Sequence, residues 1–333
     1  AKLRTNWGCI VSQSQDPLDG EISVSARLEE SGLTAAAKSR FLMALDRLLG
    51  NLLDLPNPFL ERISGDAREK NEARRAVIKA VGDAAANEAA EDKDIARAFE
   101  SSIATEQFDK LRNKQEVAYM AIEHLNEKSG EDDGPEGTKA DEKNIDQDWI
   151  NLFANYAERA SSQSLKEMWA RVLANEVIEP GSFAPITLRV ISELSRDSAL
   201  LFEKYVGRAF GMHMVKSPAA RVQELVDLVQ LEQLGFISGA DGTVNLELKV
   251  PDSGIYKVRH KEFLVQGKGQ PGLMFRIHTV FLTQAAQQIL PILDLVDYRQ
   301  WAEVFAENLT HDLTEVSIYL LDGENAVLLK KLN

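Results

Sequence analysis

Asp241, followed by Glu247-Leu248-Lys249, is one grouping of side-chain types that could do chemistry. The spacing matches the loose acid…Glu-x-Lys arrangement of metal-dependent nucleases. There two carboxylates hold a magnesium ion, and the lysine steadies the attacking water or the leaving charge. Strand period two puts Glu247 and Lys249 on one face. The pattern is short and common by chance, so a cross-strand or diagonal ion pair on a solvated face is the expected use of these residues.

Other fingerprints of chemistry fail. The five histidines, His124, His213, His260, His278 and His311, contain no pair within five residues, so no local two-histidine metal motif exists. His260 and His278 could meet only if folding paired their strands. Cys9 is the single cysteine, which excludes a disulfide framework and a cysteine-based zinc site within one chain. Walker, GxGxxG, GxSxG and HExxH patterns are absent. Gly267 to Gly272 holds three glycines and Lys268 but precedes a strand, so it offers no helix N-terminus to a phosphate and reads as a hairpin loop. No metal and no cofactor are expected.

A second grouping is basic. Lys257, Arg259, His260, Lys261, Lys268 and Arg276 face only Glu262 between Tyr256 and His278. Lys and Arg total 38 against 52 Asp and Glu, for a net charge of −14, so this cluster runs against the rest of the chain. On a winged-helix wing such residues lie along phosphates. Solvation of an exposed hairpin is the expected use of these residues, with lysines protecting a sheet edge.

The elements that position these residues follow from periodicity. Leucines and Phe41 at spacings of three and four predict a helix from Thr34, its N-cap, to Leu55, where Pro56 and Pro58 end it. Its polar face, with Lys38, Arg40 and Arg47 against Asp46 and Asp54, is poor for anionic lipid, so it packs on protein. Further helices are expected over Phe59–Ala90, Asp94–Lys128, two stripes within Asp148–Ile178 around Ser161-Ser162, Thr187–Phe210 and Arg221–Leu234, the last ending at Gly235. Trp149, Tyr156 and Trp169 sit at helical spacing and read as core. Glu167 and Arg171 stand four apart, as in a helical ion pair. Period two marks strands at Val244–Val250, Ile255–Val265 and Leu273–Leu282, the latter two joined by the glycine loop. A helix at Tyr298–Leu309 and a hairpin from Glu315 to Leu332 close the chain.

Composition then divides the chain into an irregular segment 1–30, a helical region 31–128, an acidic linker 129–145, a central helical domain 146–216, a winged-helix-like segment 217–295, and a terminal helix and hairpin 296–333. The class expected is mainly α, with helical N-terminal and central regions and a winged-helix-like α+β segment in the C-terminal third. No apolar run is long enough to cross a bilayer, and no secretory signal follows the first eight residues, so a cytoplasmic protein is expected.

Two stretches, Leu42–Arg75 (LMALDRLLGNLLDLPNPFLERISGDAREKNEARR) and Asp148–Tyr205, resemble an uncharacterised bacterial family, domain of unknown function 2806. The most specific part is SLKEMWARVLANEVIEPGSFAPITLRVISELS, Ser164 to Ser195. A more distant similarity, through the LEQLGFI segment, is to abortive-infection alpha proteins. The resemblance implies a helical fold and a bacterial or phage source, and it implies no reaction. The function expected is a non-catalytic assembly or regulatory protein acting through helical interfaces, with a protein partner or a second copy, in a setting of anti-phage defence. Nucleic-acid binding through Lys257, Arg259, Lys261, Lys268 and Arg276 is the alternative. A magnesium-dependent nuclease built on Asp241, Glu247 and Lys249 is the second alternative.

Overall fold

The computed structural model describes residues 33–49, 93–129, 143–219, 222–242, 244–293, 296–323 and 325–333. The irregular segment 1–30, the helix expected over Phe59–Ala90 and most of the acidic linker lie outside the described residues. The chain divides into two compact units, one ending at Gly181 and the other beginning at Ser182.

In the first unit every described element is a helix. Helix α1 (Ala35–Leu49) starts at Thr34, whose Oγ1 accepts from the Ala37 N–H at 3.3 Å, and it buries Ala37, Phe41, Ala44 and Leu48 at helical spacing. Helix α2 (Lys93–Ser129) turns Val117, Ala121, Ile122 and Leu125 inward. Helices α3 (Gln147–Ala157) and α4 (Gln163–Ile178) are separated by a break at Ser162, whose hydroxyl accepts from the Leu165 N–H. Trp149 stacks on Phe153, which meets Trp169 edge-on, and Tyr156 stacks on Trp169. These aromatics are therefore interior packing rather than a binding stripe. Arg40 is buried and donates to the Val177 and Ile178 carbonyls at 2.7 and 3.0 Å, closing the C-terminal end of α4 where the helix dipole favours a cation.

Helices α2 and α4 also share an ion-pair network. His124 Nε2 lies 2.7 Å from Glu167 Oε1, which also accepts from Arg171 at 3.2 Å. The Glu167 hydrogen bond raises the His124 pKa against the pull of burial, and the same bond holds Glu167 below the usual carboxylate range. The His124 contribution is whole below its ordinary pKa and is lost as pH rises through the raised folded value. The Glu167 contribution is whole above its ordinary pKa and is lost as pH falls through the lowered one. Replacing His124→Ala therefore costs most between about pH 4.5 and 6.5. Because the pair is partly exposed, the expected loss is only about 0.5–1 kcal/mol. Urea unfolding of parent and variant at pH 6 and pH 9 checks this, with the difference shrinking at the higher pH.

The second unit corrects the expected class. It is a mixed α+β fold, with two antiparallel sheets, and the chain is not mainly α. Helices α5 (Pro185–Ser192) and α6 (Arg196–Val206) replace the single helix expected over Thr187–Phe210. Ser195 caps α6 and divides the two, and Ala209–Phe210 is already strand β1. Strand β2 (His213–Val215), helix α7 (Val222–Gln233), β3 (Ile237–Ser238) and β4 (Asn245–Lys249) follow. Next come β5 (Ile255–His260), β6 (Phe263–Lys268), β7 (Met274–Leu282), helices α8 (Gln284–Ile289) and α9 (Arg299–Leu309), β8 (Thr314–Asp322) and β9 (Asn325–Lys331). In the first sheet β7 pairs with β2, β3 and β4, and the second runs β5-β6-β8-β9.

The hairpin expected between Ile255–Val265 and Leu273–Leu282 does not form. The first stretch is itself broken by a tight turn at Lys261-Glu262, with Lys261 at φ +54°, so β5 pairs with β6, and β7 belongs to the other sheet. The glycine loop thus joins two sheets. A side chain at Gly269 would meet Leu313 at 2.6 Å and Val250 at 3.1 Å, so close packing requires the glycine there. Helix α9 fills the space between the sheets. Trp301, Ala302, Phe305, Ala306 and Leu309 pack with Phe275 and Ile277 of one sheet and Phe263, Val265 and Ile318 of the other.

Candidate interaction surface

Helix α7 carries three acidic side chains and no basic one. In an amphipathic surface helix the acids face water and the apolar side chains face the core. Here the acids turn inward. Glu224 accepts from Arg208 at 2.7 Å and from the Ser217 N–H at 3.1 Å. Asp227, 5% exposed, accepts from Tyr205 Oη and Gln223 Nε2, both at 2.7 Å, and pairs with Lys204. Glu232 accepts from the Gly239 N–H at 2.7 Å. Leu228 and Leu231 are buried beside them, and Gly235, at φ +82°, ends the helix with the expected left-handed cap.

The outer side is apolar. Val222 is 81% exposed, Leu225 48%, Val226 52% and Val229 39%. They stand at i, i+3, i+4 and i+7, so they form one stripe about 10 Å long. Its flanks are the exposed amides of Gln223, Gln230 and Gln233. Burial pushes the Asp227 pKa up, but the hydrogen bonds from Lys204, Tyr205 and Gln223 outweigh it and hold the carboxyl below its usual range. Tyr205 is pushed up, first by burial and then by its bond to Asp227. The buried anion and the stripe are thus two sides of one device, since the bonds made by the acids fix which way the stripe points.

The residues with nuclease-like spacing lie on two elements, a strand and the turn before it. Glu247 and Lys249 share the exposed face of β4, as period two requires, but Glu247 pairs at 2.9 Å with Arg276, its register partner on β7. Asp241 lies in the turn after β3, where its charge raises Lys216, a lysine whose pKa burial pulls down. Among the described residues no group of three metal-ligating side chains occurs. With both partners of Glu247–Arg276 well exposed, Glu247→Ala is expected to change the unfolding free energy by less than about 0.5 kcal/mol, checked by thermal or urea denaturation.

The five basic candidates are divided. Arg276 belongs to the first sheet and is neutralised by Glu247. Lys268 pairs with Glu315 at 2.7 Å. Lys257 and Arg259 stand exposed on β5, and Lys261, at the turn, lies over the Tyr298 ring at 5.3 Å. The α7 stripe escaped sequence reading because the segment has apolar residues on both faces, and its acids read as the wet side.

Fold and surface together define a mixed α+β protein with an outward apolar helix. Residues 102–233 match the family model described as protein of unknown function (DUF2806). The match begins within α2 and ends on the last residue of α7, so it includes the stripe and stops before β3. No curated protein and no solved structure matches the chain. Among the described residues no helix is long and apolar enough to cross a membrane.

Proposed function

We propose that the chain is a non-catalytic assembly or regulatory protein, and that the outer stripe of α7 is the centre of its protein interface. The orientation of α7 is the observation that supports this reading. Turning three carboxylates inward has a desolvation cost, offset by the bonds they accept. It also leaves four aliphatic side chains in water, whose covering by a partner gains about 25 cal/mol per Å² of apolar area. The partner is a protein offering an apolar face of its own. The four side chains of the stripe carry no charge, so its binding depends little on salt. The similarity of the LEQLGFI segment to abortive-infection alpha proteins is the ground for setting this activity in anti-phage defence.

A photo-crosslinking residue at Val226, in cells of the natural host, tests the reading against the same residue at exposed Asp197. The expected result is one discrete adduct from position 226, lost when Leu225→Gln and Val229→Gln are added. An adduct of twice the chain mass identifies a second copy as the partner. Equal labelling from both positions, or labelling that survives the glutamines, contradicts the proposal.

A further inference from the structure

The face of the second sheet turned away from α9 is composed unlike the rest of the chain. Register places its residues in rows. Lys257 stands opposite Gln266, Gln266 opposite Ser317, and Ser317 opposite Lys331. In the next row Arg259 stands opposite Leu264, Leu264 opposite Tyr319, and Tyr319 opposite Leu328. Direct partners in an antiparallel ladder share a face, so these eight residues lie on one face, where Ser317 is buried and the other seven are partly or fully exposed. The alternate rows, with Val258, Val265 and Ile318, point to the core.

Every charge within these two rows is positive. Lys257, Arg259 and Lys331 are exposed at its two edges, Lys268 lies beyond the first row, and Glu315 pairs with Lys268 and also feels Lys331. Glu262 and Asp322 lie at the hairpin ends. The excess of positive charge is conspicuous in a chain of net charge −14. Between the basic edges lie an aromatic ring and an amide, Tyr319 and Gln266, joined by a hydrogen bond of 3.3 Å. The basic edges are three strand spacings apart, about 14 Å.

We infer that this face binds single-stranded nucleic acid. Lysines and Arg259 at the edges contact phosphates, the Tyr319 ring offers a base a stacking surface, and Gln266 can donate or accept at a base edge. An acidic peptide would satisfy the charges but would make no use of a flat ring. The inference does not depend on the α7 interface, and its salt dependence is opposite.

Fluorescence anisotropy of a labelled oligothymidylate of about 15 nucleotides, titrated with the full chain, tests it. Three phosphate contacts predict that affinity falls about 20-fold between 50 and 200 mM salt. Tyr319→Ala is expected to weaken binding at least about fivefold, whereas Tyr319→Phe, which keeps the ring, leaves it within about twofold. Lys257→Glu with Lys331→Glu removes it while the melting temperature holds, since both side chains are exposed. The inference is overturned by no binding at about 50 mM salt, by an unchanged affinity in Tyr319→Ala, or by a poly-glutamate peptide that competes as well as unlabelled oligonucleotide.

Discussion

Asp227→Ala is expected to lower the unfolding free energy of the second unit by about 3 kcal/mol. The three donors facing this carboxylate lose different amounts. Lys204 is half exposed and returns to water at little cost. Tyr205 is 2% exposed, so its hydroxyl is left buried with no acceptor, and this loss dominates. A double-mutant cycle with Tyr205→Phe separates the two, because removing both polar partners leaves less unpaired than removing one. Since the folded Asp227 pKa is lowered, its contribution is whole above the ordinary aspartate value and is lost as pH falls through the folded one. Parent and variant therefore draw closer in acid without meeting, because the protonated carboxyl still accepts from Tyr205. Chemical denaturation at pH 7 and at pH 3 measures both the size and the narrowing.

Leu225→Gln together with Val229→Gln is expected to weaken partner binding by at least about tenfold. Each side chain is about half exposed, so a partner covering the rest gains about 0.7–1.5 kcal/mol from each, and a glutamine there must also desolvate its amide. Salt does not restore or mimic the loss, because no charge is altered. Titration of the isolated crosslinked partner by calorimetry, at low and high salt, gives the change directly.

Much of the secondary structure is readable residue by residue. The caps at Thr34, Ser162 and Gly235 and the alternation in β4 act within a few residues, so local chemistry specifies them. Pairing is different. Lys261-Glu262 turns the chain with neither glycine nor asparagine, so nothing in the sequence marks β5 as ending there. Strand β7 pairs with β2, more than sixty residues earlier, which no local period encodes. The basic cluster was visible only as a run along the chain. The fold removes Arg276 to another sheet and brings in Tyr319 and Lys331 from the far end. The inward acids of α7 depend on Arg208, Lys204 and Tyr205, residues outside the helix. From the helix alone Glu224, Asp227 and Glu232 define the wet face; with those partners in place they define the buried one.

A stripe kept for a partner contributes little to the chain's own stability. The most direct measurement is the unfolding free energy of the Leu225→Gln/Val229→Gln variant beside the parent. Two substitutions at exposed positions predict a difference within about 1 kcal/mol. A loss of about 3 kcal/mol or more, the size expected for side chains buried in a core, would contradict it.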